Sequence, residues 1–240
     1  MTVLMVSGTG TEIGKTITTA AVAAAALAAG RSVAVLKPAQ TGIAPGEPGD
    51  ADDVARLVGG GVTTVELARY PEPLAPATAA LRAGLPPVRP HEVADAVAKL
   101  ATEHDLVLVE GAGGLLVRFD AEGGTLADAA RLLGAPVLVV AAAGLGTLNT
   151  TALTTEALRA RDLTPLGVVV GSWPDQPDLA ARCNLADLPE VSGAPLLGAL
   201  PAGAGALAHP VFRASAPSWV GPELGGTWDG AAFVAGAAAS

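Results

Sequence analysis

The chain has 240 residues, a formal charge of −9 and a pI near 4.7; 50% of it is hydrophobic but only 3% is aromatic. That length holds one α/β domain with a sizeable core, built of necessity from Ala, Val and Leu packed at close approach. The acidic balance, with no basic cluster to neutralise phosphates, excludes a nucleic-acid partner, and the lone Cys183, expected to be an inert thiol, excludes an internal disulfide or a cysteine metal cluster.

Apolar runs of strand length alternate with Ala-rich segments of helical length, the pattern of crossover units on a parallel sheet. A strand is predicted over residues 3–6 with no signal-peptide pattern before it, and the longest apolar run is too short to span a bilayer; a cytoplasmic protein with no membrane partner is expected. Then come "GTGTEIGKT" at residues 8–16 and a helix from Gly14 to about Ala29, stopped by Gly30. A strict Walker A has four residues between its first glycine and Gly-Lys-Ser/Thr; here five separate Gly8 from Gly14. Glycine-relieved backbone at a helix N-terminus still suits a bound phosphate, with Lys15 reaching the terminal phosphates and Thr16 a magnesium ion.

A second strand over 33–36 leads into "LKPAQTG". It puts Lys37 at the same sheet edge as Lys15 if the two strands are close, and two cations aimed at one place imply an anion between them. The acidic stretch "GDADDVARL" opens a helix near Asp50. Asp50, Asp52 and Asp53 can cap it, or one of them can turn towards the phosphate loop as a metal ligand. A helix is predicted over 91–103 and a strand over 106–109, which ends in "VEGAGG". An acid closing an apolar strand is the Walker B arrangement, so Glu110 is a candidate magnesium ligand, and the glycines at 111, 113 and 114 admit a ligand close to the backbone.

Strands follow over 137–140, 167–170 and 196–199, with a helix after Asn149 that ends before Thr164. The turn "AGLGTLNTT" enters that helix with Thr147 and Asn149 near its start, either as an ordinary capped helix or as an anion site. The last stretch, residues 226–240, is low in complexity, and a frayed tail is expected beyond a single domain over 1–225. The fold class implied is α/β, three layers, with a mostly parallel central sheet flanked by helices. In such sheets ligands lie beyond the carboxyl ends of the strands.

Taken together, "GTGTEIGKT", "KPAQTG", "VEGAGG", "GLGTLNTT" and "PLLGALP" resemble the dethiobiotin synthetase family, including its spacing from Gly8 to Gly14. The resemblance implies a magnesium-dependent cyclo-ligase of biotin biosynthesis on a P-loop NTPase fold. It would join 7,8-diaminopelargonic acid and CO2 at the expense of a nucleoside triphosphate. It implies Lys37, Lys15 and Thr11 as catalytic residues, and Thr16, Glu110 and Asp50 as magnesium ligands, with Asp52 and Asp53 still open for the last. Nucleotide would be bound by Glu12, Ile13, Gly14, Lys15, Thr16, Ile17, Asp50, Glu110, Gly111, Ala112, Gly113, Gly171, Ser172, Pro201, Ala202 and Gly203. Thr41 and Gly113 would touch the substrate, and Gly146, Thr147, Leu148 and Asn149 would receive its carboxylate at a homodimer interface. Many members carry an asparagine that reads adenine at the end of the fifth predicted strand, where this chain has Gly171 and Ser172. Base recognition by backbone groups is therefore expected, leaving ATP, CTP or another triphosphate as co-substrate. Two other readings are weighed. A nucleotide-switched dimer of the MinD and ParA kind usually has a second lysine early in the P-loop, absent here. A cobalamin-type ligase would need a glutaminase domain for which the chain is too short.

Overall fold

The computed structural model describes residues 2–239. Seven parallel strands form one sheet: β1 (Thr2–Gly8), β2 (Val33–Thr41), β3 (Val62–Tyr70), β4 (Leu106–Gly114), β5 (Val137–Ala141), β6 (Pro165–Trp173) and β7 (Leu196–Pro201), in the order β3-β2-β4-β1-β5-β6-β7. The helices are α1 (Lys15–Ala28), α2 (Asp50–Val58), α3 (Pro76–Ala83), α4 (Pro90–Leu100), α5 (Leu126–Leu133), α6 (Thr147–Arg159), α7 (Leu179–Ser192), α8 (His209–Ser215) and α9 (Gly230–Ala239).

The two-residue period of the strands divides the core into two layers. Leu4, Val33, Val35, Leu106, Leu108, Leu138 and Val169 face α1, α2 and α8, while Met5, Ala34, Leu36, Val107, Val109, Val139 and Val170 face the opposite helices. The α1 run from Ala20 to Ala26 is buried throughout, each residue at most 2% exposed. Small side chains let this helix settle close to the sheet, which answers the scarcity of aromatics.

The predicted elements are all observed in the predicted order; α3, α5, α7 and α8 are further helices, and three other differences stand out. The sheet is wholly parallel and has a further edge strand, β3, which pairs with β2 from Val33–Val62 to Thr41–Tyr70. The helix expected after Asn149 starts at Thr147, opened by Gly146 with a left-handed φ of 95°. The alanine-rich tail forms a helix, α9, which packs on α7, and Phe233 makes ring contacts with Trp173 and Trp228 at centroid distances of 5.5 Å. Ser240, the last residue of that tail, lies outside the described residues.

Candidate active site

β4 lies between β1 and β2. The loop that leaves β1 and the lysine carried by β2 therefore address the end of β4 from its two sides. β2 and β4 stop pairing at Leu36–Val109. β1 and β4 pair as far as Val6–Glu110 and next at Gly8–Gly114, leaving Gly111, Ala112 and Gly113 opposite Ser7 alone. This bulge bends β4 away and opens a cavity of about 900 Å3 whose walls include Thr11, Glu12, Gly14, Lys15, Thr16, Ile17, Lys37, Thr41, Asp50, Glu110, Ala112 and Gly113.

Glu110 is the hub, 1% exposed. Its Oε1 accepts hydrogen bonds from Thr16 Oγ1 at 2.9 Å and from Lys37 Nζ at 3.0 Å. Lys37 also donates to the Gly111 carbonyl at 3.2 Å and forms an ion pair with Asp50. Burial presses the Lys37 pKa down, but Glu110 and Asp50 together outweigh it and hold the value above the ordinary lysine range. Lys15, also buried, donates to the Gly10 carbonyl at 2.8 Å, folded back over its own loop. Burial first, and the like charge of Lys37 second, lower its pKa. Of the three aspartates left open by the sequence, only Asp50 faces the cavity. Asp52 accepts from Gly49 N–H at 2.8 Å and Asp53 pairs with Arg56 at 2.9 Å, both on the outer side of α2.

The P-loop is seated on the end of β6. Gly14 has φ 93°, and a Cβ there would lie 2.2 Å from the Gly171 carbonyl oxygen; a Cβ on Gly171 would lie 2.0 Å from that of Ile13. Glycine at 171 thus answers a packing demand from the P-loop, and the residue is buried behind that loop. Ser172, Ala202 and Gly203 are exposed at the ends of β6 and β7, where Ala202 N–H donates to the Trp173 carbonyl at 2.7 Å beside half-buried Pro201. The start of α6, with Gly146 and Asn149 exposed, Leu148 half-buried and Thr147 buried, does not line the cavity of its own chain.

Several wall residues had no role assigned from sequence, Gln40, Leu74 and Val117 among them. Gln40, 4% exposed, accepts from the Asp50 backbone N–H at 2.8 Å and so caps α2 where Gly49 offers no side chain. Leu74 and Val117 add apolar surface. Gln40 lies inside the quoted "KPAQTG", yet nothing in the sequence joins it to α2.

Among the described residues no group of three or more His, Cys, Asp or Glu forms a metal site. Two carboxylates, Glu110 and Asp50, meet on the Lys37 ammonium, and the Thr16 hydroxyl joins them through Glu110. Such hard oxygen donors, too few for a closed cage, suit a magnesium ion that keeps waters and takes phosphate oxygens. No helix among the described residues is long and apolar enough to cross a membrane.

A family model described as an AAA domain matches residues 2–205. The ATP-dependent dethiobiotin synthetase of Streptomyces avermitilis is 75% identical over 233 residues, covering 97% of this chain and 98% of that protein. The chain belongs to the dethiobiotin synthetase family. The synthetase of Streptomyces coelicolor is 71% identical over 233 residues, covering 97% of this chain and 98% of its own. That of Mycobacteroides abscessus is 50% identical over 226, covering 92% and 98%. Among solved structures, a ParA family ATPase from Chlorobium tepidum gives a TM-score of 0.57 at 13% identity, covering 99% of this chain and 97% of that one. MinD complexed with Mg-ADP from Pyrococcus horikoshii gives 0.54 at 18%, covering 98% and 94%. At these identities the likeness is one of fold, and it agrees with the P-loop architecture read from the motifs. Membership in the synthetase family agrees with the resemblance those motifs carry.

Proposed function

We propose that the chain closes the ureido ring of dethiobiotin from 7,8-diaminopelargonic acid, CO2 and a nucleoside triphosphate, in biotin biosynthesis. The observation that carries this reading is the convergence of Lys15, Lys37, Thr16 and Glu110 on one cavity at the strand ends, in a member of the synthetase family.

One substrate amine, N7 by the family's pattern, attacks CO2 and loses a proton to give a carbamate. A carbamate oxygen then takes the γ-phosphoryl group, releasing the nucleoside diphosphate. The second amine attacks the carbamoyl carbon, loses its proton and expels phosphate as the ring closes. Carbamate and triphosphate repel each other, so the chain's task is to hold two anions together. Lys15 would leave the Gly10 carbonyl for the terminal phosphates, and the backbone N–H groups around Gly14 would take the rest of their charge. Lys37 offers a second cation in the same cavity; once Glu110 and Asp50 take magnesium it would turn from them to the place where charge accumulates. Thr11 and Thr41, on the cavity wall, would orient the diamine. Thr16, Asp50 and Glu110 would hold magnesium, which when bound supplies further neutralisation of the phosphates.

The diamine's carboxylate would lie at the α6 start of a second subunit, against the residues 146–149. Two features support a homodimer of this kind. That segment does not line its own chain's cavity, and Leu145, 92% exposed, just before it and Leu153, 58%, on the same helix leave apolar surface. The base would be read by backbone groups around Ser172, Pro201, Ala202 and Gly203, since Gly171 has no side chain and is turned towards the P-loop; CTP is then accepted beside ATP.

The test is phosphate release by purified protein with magnesium and bicarbonate, in separate reactions with ATP or CTP, with and without the diamine, and mass detection of dethiobiotin. Product that needs the diamine is expected. Phosphate release indifferent to the diamine, with no dethiobiotin, would overturn the reading in favour of a nucleotide switch, and strong adenine preference in competition binding would overturn the base-reading part.

A further inference from the structure

In the loop from β5 to α6, Ala143 is packed in the core but its neighbours have little to hold them. Ala142, Leu145 and Gly146 are exposed, and Gly146 opens the helix with a left-handed φ and no side-chain cap. What fixes the loop is a side chain from another element. Asn184 on α7, 5% exposed, uses its amide Nδ2 twice, donating to the Ala143 carbonyl at 2.7 Å and the Gly144 carbonyl at 3.0 Å. The Gly144 oxygen also accepts the Thr147 backbone N–H at 3.3 Å. One carbonyl thus links Asn184 to the first turn of α6. There the Thr147 hydroxyl is 2% exposed and has no hydrogen-bond partner.

We propose that Asn184 is a positioning residue for the substrate's carboxylate. By clamping two successive carbonyls it sets where the α6 start lies and how its free N–H groups point, without touching substrate itself. The inference rests on the reading that residues 146–149 receive the carboxylate. A tether that only stabilised the loop would lower the melting temperature and affect all substrates alike. A positioning residue acts on the carboxylate end alone, because Lys15, Lys37, Thr16 and Glu110 belong to other elements.

The experiment compares wild type with Asn184→Leu, which keeps the size and removes both donors, and with Asn184→Asp, which turns an acceptor towards two carbonyls. Each is assayed with the diamine acid and with its primary carboxamide. Wild type is expected to prefer the acid. In both variants KM for the acid should rise about five- to thirtyfold, the upper part of the range for an anion's interaction with a helix N-terminus, while KM for the carboxamide, KM for nucleotide and kcat hold. A parallel rise for acid and carboxamide, a fall in kcat with a changed nucleotide KM, or no change at all would overturn the role given to Asn184. Equal use of acid and carboxamide by wild type would instead overturn the carboxylate reading of α6, and this proposal with it. If Asn184→Leu does not fold, Asn184→Ser, with its single shorter donor, carries the same comparison.

Discussion

Lys37 is restrained more tightly than a surface lysine ending a strand, because Glu110 and Asp50 both hold it and the Gly111 carbonyl takes a further hydrogen bond. Its stem reaches the cavity from β2, whereas the triphosphate would sit on the loop after β1. Lys37→Ala is therefore expected to leave the nucleotide Kd within about threefold while turnover falls about a hundredfold or more, the scale of losing one charge stabiliser. Equilibrium nucleotide binding and single-turnover product formation, measured well below the melting transition, separate the two; unchanged turnover would remove Lys37 from the mechanism. Gln40 is tested by Gln40→Met, of similar length but without an acceptor. It leaves the Asp50 N–H without its cap, which costs about 1 kcal/mol and frees Asp50 to move. A lower urea midpoint is expected, together with a higher magnesium concentration for half-maximal rate.

At the scale of elements, the start of the sheet has its own clasp. Asp105, just before β4, accepts from the Ser32 backbone N–H at 2.9 Å and hydroxyl at 2.8 Å, while its own carbonyl accepts from Thr2 N–H at 3.0 Å. One residue thereby sets the register of β2, β4 and β1 at the end opposite the site. The Ser32 backbone hydrogen bond, then its hydroxyl, lower the Asp105 pKa. A depressed carboxylate pKa stabilises the fold above the unfolded value and ceases to do so as pH falls through the folded one. Asp105→Asn should therefore lower the urea midpoint at pH 7, and the gap from wild type should close as the pH drops below about 4. A gap independent of pH would show that the charge contributes nothing. The same strands show where sequence suffices. β1, β2, β4, β5 and β6 are buried on both faces and read as continuous apolar runs. β3 is an edge strand of half-buried residues in which Val65 and Leu67 alternate with Thr64 and Glu66, too weak a pattern against three preceding glycines. The tail gave no period because alanine fills it; its anchors are Trp228 and Phe233. Lys15, Thr16, Lys37 and Glu110 were readable because each stands just past an apolar run within a motif. The clamps made by Gln40 and Asn184 were not, since they join separate elements and leave no mark on local spacing.

For the whole molecule, one chain is enough for one half of the proposed chemistry only. The P-loop, Lys37 and the donors proposed for magnesium line one cavity of the chain, so a monomer retains them. The α6 start stands apart, and further along the same helix a smaller cavity of about 300 Å3 is lined by Leu115, Leu116, Val117 and Leu153. Burying a leucine such as Leu153 in a subunit contact stabilises it by about 1.5–3 kcal/mol, and a lysine there would have to lose its hydration instead. Leu153→Lys is therefore expected to convert a dimer of about twice the chain's 23.5 kDa mass into a monomer in light scattering. Nucleotide Kd should hold within about threefold, because the change leaves the P-loop intact, while KM for the diamine acid should rise at least tenfold, the order lost when reactants are no longer held in register. A variant that stays dimeric would take Leu153 out of the subunit contact, and a monomer with unchanged KM for the acid would place the carboxylate within a single subunit.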